Sequence, residues 1–251
     1  MTDLWVVVPA YNEQASLPAT LEALTRQRDR DFECVVVDNA STDDTAALVR
    51  RFAAENPDFR LHLTTESHKG TGAAADTGMR YAIAAGATLL ARTDADCLPV
   101  PAWTETARKA LLGGFELAAG QLRPRTDEFR LRLWESHLLP AVVSIAAAFG
   151  RLRPGNRDPE YLGPYMMCPG CNLAITADLY QRCGGFPRTA IEEEHEDRTL
   201  VNRVRKLTTA YGYVPDMRVY GSVRRLRAYG LRNTLAWYAD HRYQPEVVDI
   251  R

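Results

Sequence analysis

The stretch ATLLARTDADCLPVP (87–101) ends an apolar run in two aspartates, Asp94 and Asp96, before the chain turns at Pro99 and Pro101. In an extended chain, residues i and i+2 face the same way. Two hard oxygen ligands therefore meet at a strand end. Such a pair suits a divalent cation that keeps some of its water and takes further ligands from substrate phosphates, so Mn2+ or Mg2+ fits, whereas zinc would want His or Cys. DxD also occurs by chance in loops; here its position after an apolar strand argues for metal. Asp38 closes a second apolar run, FECVVVD. A carboxylate there can accept from a base N–H or a ribose hydroxyl. The alternative is a helix cap, a role for which Ser41 and Thr42 stand ready. Tyr11, Asn12 and Glu13 follow a third apolar run, LWVVVPA (4–10).

These residues need a scaffold that brings three strand ends together, and the first hundred residues supply one. The runs at 4–10, 32–40, 59–65 and 88–93 read as strands; the continuous apolar character of 4–10 is that of a strand covered on both faces, and 32–40 reads as a second buried strand. Between them lie helical patterns. The first has Ser16 in the cap position, Pro18 in its first turn and Leu17, Leu21 and Leu24 on one face. The second, 41–55, opens with cap residues and acids. The third, 70–86, is rich in small residues. Alternation of this kind predicts an α/β fold with a mostly parallel, Rossmann-like central sheet and helices on both faces. Ligands bind such sheets beyond the carboxyl ends of the strands, where all of these polar residues fall.

The second half is less regular. Residues 115–125 read as a strand, 129–149 as a helix, and 171–186 as strand, helix and Gly turn; 191–207 is a helix with an acidic start and a basic end, and 209–221 is extended. The expected division is 1–120, 121–215 and an arginine-rich tail or lid at 216–251, all in a single domain. The chain of 251 residues has a formal net charge of −1, which disfavours blanket binding to nucleic acid. No leader is read at the start and no apolar stretch reaches membrane-spanning length. Five cysteines, an odd number, fit a reducing compartment, and a cytoplasmic protein is expected. CPGC (168–171) lacks the second half of a zinc site and reads as ordinary buried thiols. Neither a P-loop nor a dinucleotide fingerprint follows the first strand.

Six segments, VVVPAYNE, FECVVVDNASTDDT, KGTGAAADTGMRYA, LLARTDADCLP, PGCNLAITADLYQRCGGF and EHEDRTLVNRV, occur in this order over residues 4–207. Together they resemble a family 2 glycosyltransferase of the GT-A fold. The resemblance implies an inverting, metal-dependent and non-processive transfer from a nucleoside-diphosphate sugar to a hydroxyl acceptor. It also implies that 1–120 is a nucleotide-sugar-binding half and 121–215 an acceptor-binding half. Pro9, Tyr11, Asn12 and Glu13 would line base and ribose. Asp38 would hold the nucleobase, and a uracil imide N–H would suit it. Lys69 and Gly70 would lie beside the nucleotide. Asp94 and Asp96 would serve the metal, with Asp96 the direct ligand. Gly170, Cys171 and Asn172 would face the acceptor, and Asp197 would be the general base.

The acidic run EEEHED leaves Glu193, Glu194 and Glu196 open as alternative bases, or as acids that favour the helix dipole. The Q-x-x-R-W motif of processive synthases is missing. SVRRLR (222–227) reads either as a lid over the diphosphate or as a solvated tail, and His241 as a further metal ligand or a surface residue. Two other functions compete: a nucleotidyltransferase, which would want a Gly-rich basic loop after the first strand, and a sugar-nucleotide-binding protein without catalysis. The acceptor stays open between a saccharide, a lipid-linked group at the inner face of a membrane and a small metabolite. Arg92, two residues before the DxD pair, has no role in this reading.

Overall fold

The computed structural model describes residues 2–127, 156–188, 196–224, 227–228 and 230. β1 (Leu4–Ala10) is buried at every position. It lies between β2 (Phe32–Asp38) and β4 (Leu89–Thr93), parallel to both, and β3 (Leu61–Thr65) continues the parallel set beyond β2. The crossovers are α1 (Leu17–Thr25), α2 (Thr45–Glu55) and α3 (Thr71–Ala84). After β4 come β5 (Leu98–Pro99), α4 (Trp103–Leu112), β6 (Leu117–Pro124), β7 (Asn172–Thr176), α5 (Ala177–Arg182), α6 (Glu196–Arg205) and β8 (Tyr211–Gly221). The eight strands among the described residues form one sheet in the order β3-β2-β1-β4-β7-β6-β8-β5. β7 runs antiparallel to both β4 and β6, and β5 antiparallel to β8, while β6 and β8 are parallel. β6 crosses position 120, so both halves of the chain share this sheet.

The alternation of side chains along the buried strands divides the core in two. Trp5, Val7, Val35, Val37 and Leu90 pack with α3, α5 and α6 on one face. Leu4, Val6, Val8, Cys34, Val36 and Ala91 pack with α1, α2 and α4 on the other. The mostly parallel sheet with helices on both faces is the expected one. The small residues of α3 have a packing reason: a Cβ on Gly78 would stand 2.4 Å from Val7 Cγ1 and 2.8 Å from Val37 Cγ2.

Of the two expected caps, Ser16 stands where it was read and that of α2 is corrected. Ser41 and Thr42 do not start α2, which begins at Thr45 behind Asp44. They bind Asn12 instead: Asn12 N donates to Ser41 Oγ at 2.9 Å, and Thr42 N donates to Asn12 Oδ1 at 2.8 Å. Ser16 occupies the cap of α1 without a side-chain bond. The helix read at 129–149, the candidates Glu193 and Glu194, and His241 lie outside the described residues. Among the described residues, no helix is long and apolar enough to cross a membrane.

Candidate active site

Parallel pairing sets the strand ends level. Ala10 faces Asp38, and Asp38 faces Thr65. At this edge opens a cleft of about 170 Å³ that brings together Pro9, Tyr11, Glu13, Asp94, Asp96 and Cys171. Asn39, Thr71 and Arg224 line it as well.

On the β2 side, Asp38 is buried and its Oδ1 accepts from Ser41 N at 3.2 Å. One oxygen of this carboxylate is thus used within the turn, and Asp38 does not cap α2, which begins behind Asp44. Asn39, one of the polar residues at the end of the second strand to which the sequence assigned no role, organises the next loop. Its Nδ2 donates to the carbonyls of Glu66 (2.9 Å) and His68 (2.8 Å), and its Oδ1 accepts from Gly70 N at 2.9 Å. The loop so held carries Lys69, whose Nζ lies 5.2 Å from the centre of the Tyr11 ring. Gly70, at φ 146°, caps α3 in a conformation that other residues rarely adopt. Polar Asn directly after a buried strand was the available signal for Asn39.

Asp96 and Glu13 converge on one cation. Arg224 Nη2 lies 2.9 Å from Asp96 Oδ2, and the same guanidinium binds Glu13 through both nitrogens, Nη1 reaching Oε2 at 2.9 Å. Arg125 Nη1 donates to the Asp96 carbonyl at 3.0 Å and fixes the turn. Two carboxylates gathered round a positive charge are a donor set that suits a hard divalent ion. Among the described residues no group of three or more His, Cys, Asp or Glu could hold a metal. The residues present thus fit an ion that draws its remaining ligands from a diphosphate and water.

Asp94 turns the other way. Its Oδ1 accepts from Arg92 Nε at 3.1 Å, and Arg92 Nη2 reaches Glu196 Oε1 at 3.3 Å. Burial pushes the Asp94 carboxyl up; Arg92 pulls it back, while Asp96 and Glu196 push further. Burial opposes the charge on Arg92, but Asp94 and Glu196 outweigh it and hold the group above its ordinary range. Beside Glu196, Asp197 accepts from Arg198 N at 2.6 Å. Burial pushes Asp197 up to about 7, helped by the charge of Glu196 and opposed by the N–H of Arg198, by Arg92 and by the N–H of Gly170. A carboxyl poised near neutrality is suited to taking and returning a proton.

Of the acceptor-side candidates, Cys171 lines the cleft and Gly170 touches Arg92 and Asp197. Asn172 does not face the cleft. It is fully buried, its Nδ2 donates to the carbonyls of Gln121 (3.0 Å) and Met217 (2.9 Å), and its Oδ1 accepts from Trp103 Nε1 at 2.8 Å. Its amide braces β6, β8 and α4. All five cysteines are free thiols, and only Cys171 is more than slightly exposed. A hydrogen bond with Cys171, then burial, pushes Cys97 well above the ordinary thiol range.

Comparison with known proteins places these observations in a family. The model described as Glycosyl transferase family 2 matches residues 5–184. The PGL/p-HBAD biosynthesis glycosyltransferase of Mycobacterium bovis (strain BCG / Pasteur 1173P2) is 33% identical over 210 residues, covering 75% of this chain and 80% of the relative. Glycosyltransferase AglE of Haloferax volcanii is 32% identical over 120 residues, covering 47% of this chain and only 38% of AglE. Among solved structures, the mannosyltransferase of Pyrobaculum calidifontis in complex with GDP-Man and Mn2+ is similar at TM-score 0.63 and 24% identity, over 94% of this chain and 64% of that one. At that identity the likeness speaks to the fold.

Proposed function

The chain belongs to glycosyl transferase family 2, and from that premise we propose that it is an inverting, metal-dependent, non-processive transferase that moves a sugar from a nucleoside-diphosphate donor to a hydroxyl acceptor. The observation that carries the reading is the meeting of three strand ends in one cleft, with Asp96 and Glu13 on its donor side and Asp197, pushed up to about 7, beyond Arg92.

The roles follow from charge. Asp96 is the residue that would hold Mn2+ or Mg2+, and the ion would neutralise the charge that develops on a departing nucleoside diphosphate. Asp38 would accept from the nucleobase through the oxygen not bound to Ser41, and a uracil imide suits it. Tyr11 and Lys69 would flank the nucleotide. Arg224, now on Asp96 and Glu13, is placed to meet the diphosphate, which supports the lid reading of the segment after β8. Asp197 would take the proton from the acceptor hydroxyl as that oxygen attacks the anomeric carbon. Attack from the side opposite the leaving group inverts that centre.

The test is calorimetric titration with UDP and GDP, each with and without Mn2+. Tighter binding of at least one nucleotide in the presence of the ion is expected, with UDP favoured. No metal enhancement for either nucleotide would overturn the proposal.

A further inference from the structure

We infer that Arg92 is a positioning residue that braces the donor-side strand end against the acceptor-side helix, so that Glu196 and Asp197 are held in register with the DxD segment. The inference rests on the transferase reading and deepens it.

A guanidinium in the middle of a sheet is costly, because its charge is stripped of water. Arg92 is 1% exposed, and its strand neighbours Leu90 and Ala91 are fully buried. Its edge binds two acids from distant parts of the chain: Nε holds Asp94 on the DxD segment, and Nη2 holds Glu196 in the first turn of α6. Its faces are occupied as well. The Phe186 ring centre lies 4.9 Å from Cζ. On Gly170, a Cβ would stand 3.4 Å from Nη1 and 3.5 Å from both Cζ and Nη2, so even a methyl side chain there would come into van der Waals contact with the guanidinium. The Gly170 N–H in turn donates to Asp197. One rigid plane therefore binds the DxD segment and the start of α6, packs on Phe186 after the Gly184-Gly185 turn, and lies within a methyl's reach of Gly170. Lysine could not do this, because an ammonium has no fork and no faces.

The third arm separates this from a simple ion pair. Arg92 Nη1 is buried and has no hydrogen-bond partner among the described residues. Buried N–H groups are nearly always satisfied. Among the described residues this donor is left over beside the two ion pairs.

The experiment compares the full chain with Arg92→Met, Arg92→Lys and Glu196→Gln. Two readouts are taken: release of nucleoside diphosphate from UDP-glucose, UDP-N-acetylglucosamine and GDP-mannose with water as acceptor, and affinity for UDP or GDP with Mn2+. Arg92→Met is expected to lower kcat about 100-fold, the scale of a 1 Å misplacement of reacting groups, with nucleotide affinity kept within about threefold. Arg92→Lys is expected to recover less than a tenth of the wild-type kcat. Amide exchange over 196–200 should quicken in Arg92→Met. Should that variant fail to fold, Glu196→Gln cuts the same brace from its other end and is expected to show the same split and the same faster exchange. Full recovery with lysine, a kcat within threefold of wild type, or a loss of affinity equal to the loss of kcat would each overturn the inference. A wild-type chain that releases no nucleotide from any donor and binds none with Mn2+ would sink the transferase reading itself, a different result.

Discussion

At the scale of single residues, Asp197 makes the most direct prediction. Its carboxyl is pushed up to about 7 by burial and by Glu196, well above the ordinary carboxylate value. A base must be ionised, so turnover is expected to rise with pH through about 7, and Asp197→Asn should remove that limb and lower kcat by about 10²–10⁴ while nucleotide affinity holds. The effect on stability has the opposite sense. Between the unfolded value near 4 and about 7, the folded chain binds more protons than the unfolded one, so this group's contribution falls as pH rises. Denaturant midpoints measured at pH 5 and pH 8 should differ less in Asp197→Asn than in wild type. The DxD pair was legible only as two acids after one strand: the chain turns at 95–96 instead of staying extended, so Asp94 pairs with Arg92 and Asp96 with Arg224 rather than facing the same way. Arg92 was not, because its second partner, Glu196, is 104 residues away. Asn172 misled for the related reason that a motif position says nothing about which way an amide points. Asn39, Glu66 and His68 show the same limit: the loop they hold is fixed by contacts that no local pattern records.

At the scale of elements, apolar runs and helical repeats were a sufficient guide for the first four strands and three helices: β1 and β4 are buried along their whole length, and each helix buries one face. They fell short in the second half. An apolar run carries no direction, so nothing in NLAIT announces that β7 enters antiparallel between β4 and β6. Nor does the pattern show why α3 is rich in small residues, a matter of distance between elements. Two glycines on that helix separate stability from function. Gly78→Ala would drive a methyl into Val7 and Val37, and overpacking of this kind costs about 1–3 kcal/mol. A chain of this size loses roughly 2–4 °C in melting temperature per kcal/mol. Gly72 lies elsewhere, with a Cβ position 2.4 Å from the Pro187 carbonyl and 3.1 Å from Glu196 Cβ. Gly72→Ala must shift the Pro187 carbonyl and crowds Glu196 at the start of α6, so its expected signature is a loss of turnover larger than its loss of melting temperature would explain. Steady-state kinetics beside thermal melts on both variants would check this, and equal losses of activity in the two would refute it.

At the scale of the whole molecule, the cleft is closed by a contact between the two ends of the described chain. Arg224, just past β8, holds Glu13, just past β1, and reaches Asp96 between them. The donor side is thus assembled from the first strand, the fourth and the last, and is only as rigid as the sheet that joins them. A ligand that replaces this one cation with an ion and a diphosphate binds the folded chain alone. Ligand at 100 times its Kd then adds about 2.7 kcal/mol, which for a chain of this size is a rise of roughly 5–10 °C in melting temperature. The expectation is specific in its pairing. UDP alone should add little, because a free diphosphate would meet the carboxylates of Asp94, Asp96 and Glu13 with like charge. Mn2+ alone should also add little, because the described side chains do not complete its shell. UDP with Mn2+ should give the full rise, and Asp96→Ala should abolish it while leaving the melting temperature of the unliganded chain close to wild type, since its side-chain ion pair with Arg224 is partly exposed to solvent. A full rise with UDP alone, unchanged in Asp96→Ala, would show that nucleotide binding does not run through the DxD segment.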